Sequence, residues 1–99
     1  MSTLAVKIEV PNINNVLITD DSLVVELYDG RTVSIPFAWY PRLLYASVEE
    51  KNEWRLVGKG CGIYWKFIDE DISTEGLIAG RPSGESQTSF KKWLKSRSS

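Results

Sequence analysis

The stretch Leu23-Val24-Val25-Glu26-Leu27-Tyr28-Asp29-Gly30-Arg31-Thr32-Val33-Ser34-Ile35-Pro36 decides the fold class. Leu23, Val25 and Leu27 share one side of an extended chain and Val24, Glu26 and Tyr28 the other, the alternation of a strand with one buried face. Asp29-Gly30 follows, supplying the left-handed backbone of a two-residue hairpin turn. Val33 and Ile35 resume the strand pattern until Pro36 closes it. Upstream, Asn14 to Thr19 reads as a strand joined to the hairpin by the turn-forming pair Asp20-Asp21. Before it, Leu4, Val6, Ile8 and Val10 alternate with Ala5, Lys7 and Glu9 in a further strand ended by Pro11. The first third of the chain is therefore expected to be an antiparallel meander.

The middle changes period. Pro41 suits the first position of a helix, where its missing N–H is no loss, and Arg42 to Ala46 would offer Leu43 and Leu44 to a core. Ser47-Val48-Glu49-Glu50 fits a capping box opening a second short helix that runs to about Trp54. Strands return at Leu56-Val57 and Ile63 to Phe67, around Gly58-Lys59-Gly60-Cys61-Gly62. Ser73 can cap a brief helix over Thr74 to Ala79, with Gly80 just past its end. After the loop Arg81 to Glu85, a last helix from about Ser86 puts Phe90, Trp93 and Leu94 in one stripe, with Lys91, Lys92 and Lys95 opposite. Ser96 to Ser99 should fray. The expected fold class is α+β: an antiparallel β-meander, short mid-chain helices and a C-terminal amphipathic helix, in one domain spanning residues 1–99 and ordered from about residue 3 to 95.

A chain of 99 residues can bury roughly 65% of its unfolded surface, enough for one modest core. Twelve basic against thirteen acidic residues leave a net charge of −1, which argues against a surface built wholly for nucleic acid or acidic lipid. The chain has no histidine, which removes Ser–His–Asp triads, Cys–His pairs and histidine-ligated zinc. A single cysteine, Cys61, cannot form an internal disulfide. No signal-peptide core and no run of the roughly 20 apolar residues needed to span a bilayer is present, so a cytoplasmic location is expected. Composition cannot tell whether the four tryptophans are core or surface.

Each candidate site has a plainer reading. Asp69-Glu70-Asp71 invites a metal, but consecutive residues do not face one point, and an exposed acidic turn before a helix is the better account. Gly58 to Gly62 with Lys59 could cradle a phosphate, yet it leads into a strand rather than a helix N-terminus, so a hairpin turn is favoured. Cys61 reads as a small, half-buried packing residue. Ser89-Phe90-Lys91-Lys92 matches S-x-x-K without the other motifs of a serine acyl enzyme, and is coincidence. The terminal helix fits an apolar stripe docked on the sheet better than it fits a stripe left for a partner or a basic nucleic-acid surface of Lys91, Lys92, Lys95 and Arg97.

Trp54-Arg55-Leu56-Val57-Gly58, Gly60-Cys61-Gly62-Ile63-Tyr64-Trp65 and Ile68-Asp69-Glu70-Asp71-Ile72-Ser73-Thr74-Glu75-Gly76-Leu77 resemble the bacterial domain-of-unknown-function family 2442. Gly80 to Ser86, Trp93, and Trp39-Tyr40-Pro41-Arg42-Leu43 suit one branch of it. The chain departs from the family's commoner His-Trp-Pro with Tyr64-Trp65-Lys66, which takes a histidine's ligand or proton role away from that position. The resemblance implies a small α+β module and supplies no reaction. Some relatives carry a helix-turn-helix after the module. Others resemble half of a toxin–antitoxin-like pair with a small protein of family 4160.

The reading is therefore a non-enzymatic protein-interaction or regulatory module, antitoxin-like, with Trp39, Tyr40, Phe90 and Trp93 as partner-binding residues. A small family 4160-like protein is the expected partner, and a strand edge could also pair two copies. No cofactor is expected, and direct nucleic-acid binding is disfavoured. The alternative is a small-ligand or divalent-metal site in the Gly58–Asp71 segment, using Cys61, Tyr64, Asp69 and Asp71.

Overall fold

The first sheet is built where the alternation is cleanest. In a computed structural model, described over residues 10–97, β1 (Ile13–Ile18), β2 (Ser22–Leu27) and β3 (Thr32–Pro36) form an antiparallel sheet in the order β1-β2-β3. Leu23, Val25 and Leu27 are all buried, as their period-2 spacing requires. The strand expected over Leu4 to Val10 lies, apart from Val10, outside the described residues. β1 starts one residue earlier than its pattern indicated and carries a bulge between Ile13 and Asn15. The extra residue lets Ile13 and Val16, three apart, both point into the core.

The hairpin turn differs from the expected two-residue form. Leu27 N–H donates to the Arg31 carbonyl and Gly30 N–H to the Leu27 carbonyl, so the loop is the three residues Tyr28 to Gly30. Gly30 alone takes a positive φ, +94°, as in a type I turn closed by a glycine bulge.

A 3-10 turn (Phe37–Trp39) leads to α1 (Pro41–Leu44) and α2 (Val48–Asn52). Pro41 opens α1, and the Ser47–Glu50 capping box forms in full. Both helices are shorter than expected. Of the two leucines in α1, Leu43 is buried and Leu44 exposed. Trp54 is not helical: it begins β4 (Trp54–Val57) and sits opposite Trp65 in the second antiparallel sheet, whose order is β4-β5-β6.

β5 (Gly62–Trp65) stops before Phe67, which is exposed in the turn. The acidic run is not wholly a turn. Glu70 opens β6 (Glu70–Ser73), and only Asp69 stays in the turn, at φ +50°. α3 (Thr74–Ala79) is capped by the Ser73 hydroxyl and closed by Gly80 in the left-handed conformation. α4 (Gln87–Arg97) includes Ser96 and Arg97, so the helix persists where fraying was expected.

The two sheets share one core. Trp65 and Phe37 are its largest fully buried side chains, packed with Ile13, Leu23, Leu43, Ile63 and Ile68. The indole N–H of Trp65 donates to the Lys51 carbonyl at 3.0 Å, which meets the need of a buried indole for a partner. The glycine-rich turn is the seam between the sheets. The Gly60 carbonyl accepts from Ile13 N–H at 2.7 Å and from the Thr74 hydroxyl at 2.8 Å. A Cβ on Gly60 would lie 2.8 Å from the Ile13 nitrogen, so that turn is a hairpin with close backbone approach and not a phosphate cradle. α4 lies beside α1 and α2: Trp93 packs against the core, Phe90 meets Tyr45, and Arg97 pairs with Glu50 of α2, while none of its residues is fully buried.

Candidate functional site

α1, a single helical turn, begins with a proline and then an arginine. Arg42 is compensated by distant groups. Its Nη1 donates to the carbonyls of Ile68, at 2.8 Å, and Asp69, at 3.4 Å. Its Nε and Nη2 meet the Glu85 carboxylate at 2.9 and 2.6 Å in a largely buried fork-to-fork pair. The pairing holds the Glu85 carboxyl below its usual range, helped by the Ser89 hydroxyl at 2.7 Å.

Around this pair lies a cleft of about 450 Å³ between Arg42, the β5–β6 turn, the start of α3 and the loop Arg81–Glu85. Glu70 opens β6 two residues before the buried Ile72, on the same side of the strand, and enters the cleft. Burial pushes the Glu70 carboxyl up to about 7; Arg42 opposes the rise, and Glu85 and Asp71 add to it. A half-buried acid titrating near neutrality beside a fixed guanidinium can exchange a proton or release a bound cation. Among the described residues, the hydroxyls of Ser73, Tyr40 and Ser83 that line the cleft are engaged with the backbone. The Ser73 hydroxyl accepts from Gly76 N–H, and the Tyr40 hydroxyl donates to the Arg81 carbonyl.

Beside the cleft runs an aromatic ladder. The rings of Tyr45 and Phe90 are 5.5 Å apart and those of Phe90 and Trp93 are 5.9 Å apart. The guanidinium groups of Arg42 and Arg97 lie over the Trp93 ring at 5.3 and 4.5 Å. Arg97 also pairs with Glu50, Nη1 to Oε2 at 3.0 Å, which removes it from any basic surface and draws the Glu50 carboxyl down to about 2. Leu44, Tyr45 and Val48 are exposed, the last two by 56% and 69%.

The residues singled out from sequence are only partly brought together. Phe90 and Trp93 stack on one another, half-buried. Trp39 is exposed in the 3-10 turn, where its carbonyl accepts from Ser83 N–H. Tyr40 is buried core. Asp69 and Asp71 line the cleft with Glu70. Tyr64 reaches Asp69 at 3.5 Å and is otherwise on the outer side of the sheet, beside Arg55. Cys61 stands apart at the far end of β5 and is exposed, where a half-buried position was expected. Its thiol leans on the Val57 carbonyl. The described residues place no three acidic or cysteine side chains around one point fit for a metal, and no described helix is long and apolar enough to cross a membrane. The Ser89 hydroxyl of the S-x-x-K match is engaged by Glu85. Arg42, Tyr45 and Glu85 were missed, and Glu70 was read only as part of an exposed acidic run; the Glu70-x-Ile72 spacing is the signal that points to its inward side.

No curated protein matches the chain. Its fold is similar to that of a protein of unknown function from Rhodospirillum rubrum ATCC 11170, known from a crystal structure, with a TM-score of 0.68 and 25% identity over 78% of this chain and 95% of that one. The family model described as "Protein of unknown function (DUF2442)" matches residues 13–83, from the start of β1 to the loop after α3. With both sheets and the first three helices inside that match, the chain belongs to the DUF2442 family.

Proposed function

We propose that this chain is a non-enzymatic protein-interaction module with a regulatory, antitoxin-like role, and that its contact face is the exposed end of α1 and start of α2. The observation that carries the reading is the run of Leu44, Tyr45 and Val48, apolar side chains left outside the core within one short stretch and continued by Phe90 and Trp93. Surface apolar groups clustered this way mark association sites more often than they occur by chance, and aromatic residues are the usual anchors of such interfaces. The partner we infer is a small protein of the family 4160 type.

A nuclease-treated pull-down from the source cytosol with the tagged full-length chain tests this. One partner near one-to-one stoichiometry, lost on Tyr45→Ala with the fold intact, is the expected result. No protein retained at modest salt would refute it. A second reading, binding of a small ligand or divalent ion through the Gly58–Asp71 segment, is favoured by Asp69 and Asp71 lining the cleft with Glu70. Saturable thermal stabilisation by a divalent ion or a nucleotide would support it.

A further inference from the structure

We propose that a hollow at the start of β4 binds a small sugar phosphate, with Arg55 and Lys66 holding the phosphate. The hollow encloses about 250 Å³ between Glu53, Trp54, Arg55, Tyr64 and Lys66, and it shares no lining residue with the cleft. The strand pattern builds it. Ile63 and Trp65 are buried, so Tyr64 between them turns to the outer face of β5. Arg55 lies directly opposite Tyr64 in the antiparallel pair, on that same face, and its guanidinium stands over the Tyr64 ring at 5.4 Å.

Charge decides the ligand. Arg31, Arg42, Arg81 and Arg97 each pair with a carboxylate of this chain. Among the described residues Arg55 pairs with none and lies on a ring instead. Lys66 also has no carboxylate partner there, and its ammonium lies over the Phe67 ring at 4.9 Å. Two cations without a counter-ion at one hollow call for a dianion, and a phosphate monoester carries about −1.5 to −2 at pH 7. The guanidinium fork takes two of its oxygens and the ammonium takes the third. Glu53 on the same hollow repels a second anionic group and accepts hydroxyls, which a sugar supplies. The hollow has the volume of about eight water molecules, more than a phosphate alone fills. A nucleobase suits it less, since Arg55 already occupies the Tyr64 ring face on which a base would stack.

Tyr64 and Lys66 lie in the Gly58–Asp71 segment, so the inference rests on the small-ligand reading and moves its ligand from the cleft to this hollow. The test is an NMR titration of the full-length, isotope-labelled chain with ribose-5-phosphate, in chelator-containing buffer of fixed ionic strength. Saturable shifts centred on the amides of Arg55, Tyr64 and Lys66, with a Kd of about 1 mM or tighter, are expected. Arg55→Gln and Lys66→Gln should each weaken binding at least about tenfold. Arg31→Gln removes the same charge from the β2–β3 hairpin and should leave binding unchanged. No saturable shift at these residues, an equal loss on Arg31→Gln, or equal binding of ribose alone would overturn the proposal. Inorganic phosphate binding as tightly as the ester, or AMP binding at least about tenfold tighter than it, would overturn the assignment to a sugar phosphate. Thermal stabilisation by a divalent ion, with ribose-5-phosphate unbound, would refute the hollow and leave the small-ligand reading standing.

Discussion

Replacing Glu70 with glutamine should stabilise the protein at alkaline pH and leave it nearly unchanged in mild acid. Unfolded, this carboxyl titrates near its ordinary 4.5; folded, it titrates at about 7. Below 4.5 both states hold the proton and nothing is lost. As pH rises from there, the unfolded chain releases the proton while the folded chain keeps it, so stability falls until the folded group ionises at about 7. A shift of that size corresponds to about 3 kcal/mol for a fully desolvated group. Glu70 is only half-buried, and water screening reduces the figure to about 1–2 kcal/mol. Glutamine keeps the shape and carries no charge at any pH. The variant should therefore exceed the wild type only slightly at pH 5 and by more at pH 8, by about 5–10 °C in Tm for a domain of this size. Urea and thermal unfolding followed by tryptophan fluorescence from pH 5 to 8 would measure it, and with no histidine in the chain no other side chain has its ordinary pKa inside that window. A difference between the two proteins that stays constant from pH 5 to 8 would refute the reasoning.

Gly60→Ala should cost about 3 kcal/mol or more, because the added methyl separates Ile13 from the turn and strains a positive φ; Gly30→Ala, with a similar φ but open space around it, should cost only about 1–2 kcal/mol, and equal losses in urea titrations would sink the claim of close approach. Thr74→Val keeps the shape of a buried side chain but removes its bond to the Gly60 carbonyl, so a loss of about 1 kcal/mol is expected, and no loss would show that the bond contributes nothing. Ser47→Ala removes half of the α2 capping box and should cost about 1 kcal/mol. Glu50 is drawn down by Arg97 and by Ser47 N–H, so its contribution is present above pH 4.5 and should fade as pH falls towards 2; Arg97→Gln should flatten that acid limb, and an unchanged acid titration would count against the pairing.

What was legible in the residues is what depends on near neighbours. Alternation over Leu23 to Leu27, the proline opening α1, the Ser47–Glu50 box and the Ser73–Gly80 limits of α3 all act within a few positions, and all appear in the fold. Family membership was legible too, from the motifs between Trp54 and Leu77, and the family model matches residues 13–83. The misses cluster where a local preference was overruled by something distant. The acidic run looked like a turn because three carboxylates repel burial, yet β6 forms since Ile72 is buried opposite Ile63 and Arg42 stands near Glu70. The chain's end looked free to fray, yet Arg97 is held by Glu50, 47 residues away in sequence.

The cleft and the ladder share that origin. Arg42 and Tyr45 come from α1 and its C-cap, Glu70 from β6 and Glu85 from the loop before α4, and no spacing along the chain relates these three segments. The sequence by itself determined the meander, the short capped helices and the family, because hydrophobic period, turn chemistry and caps are set by residues in immediate succession. Only the tertiary structure decided which tryptophans are buried, which acid titrates near neutrality and which arginine anchors the terminal helix. Burial and ion pairing depend on distances between segments, and those are defined only once both sheets have closed on the same core.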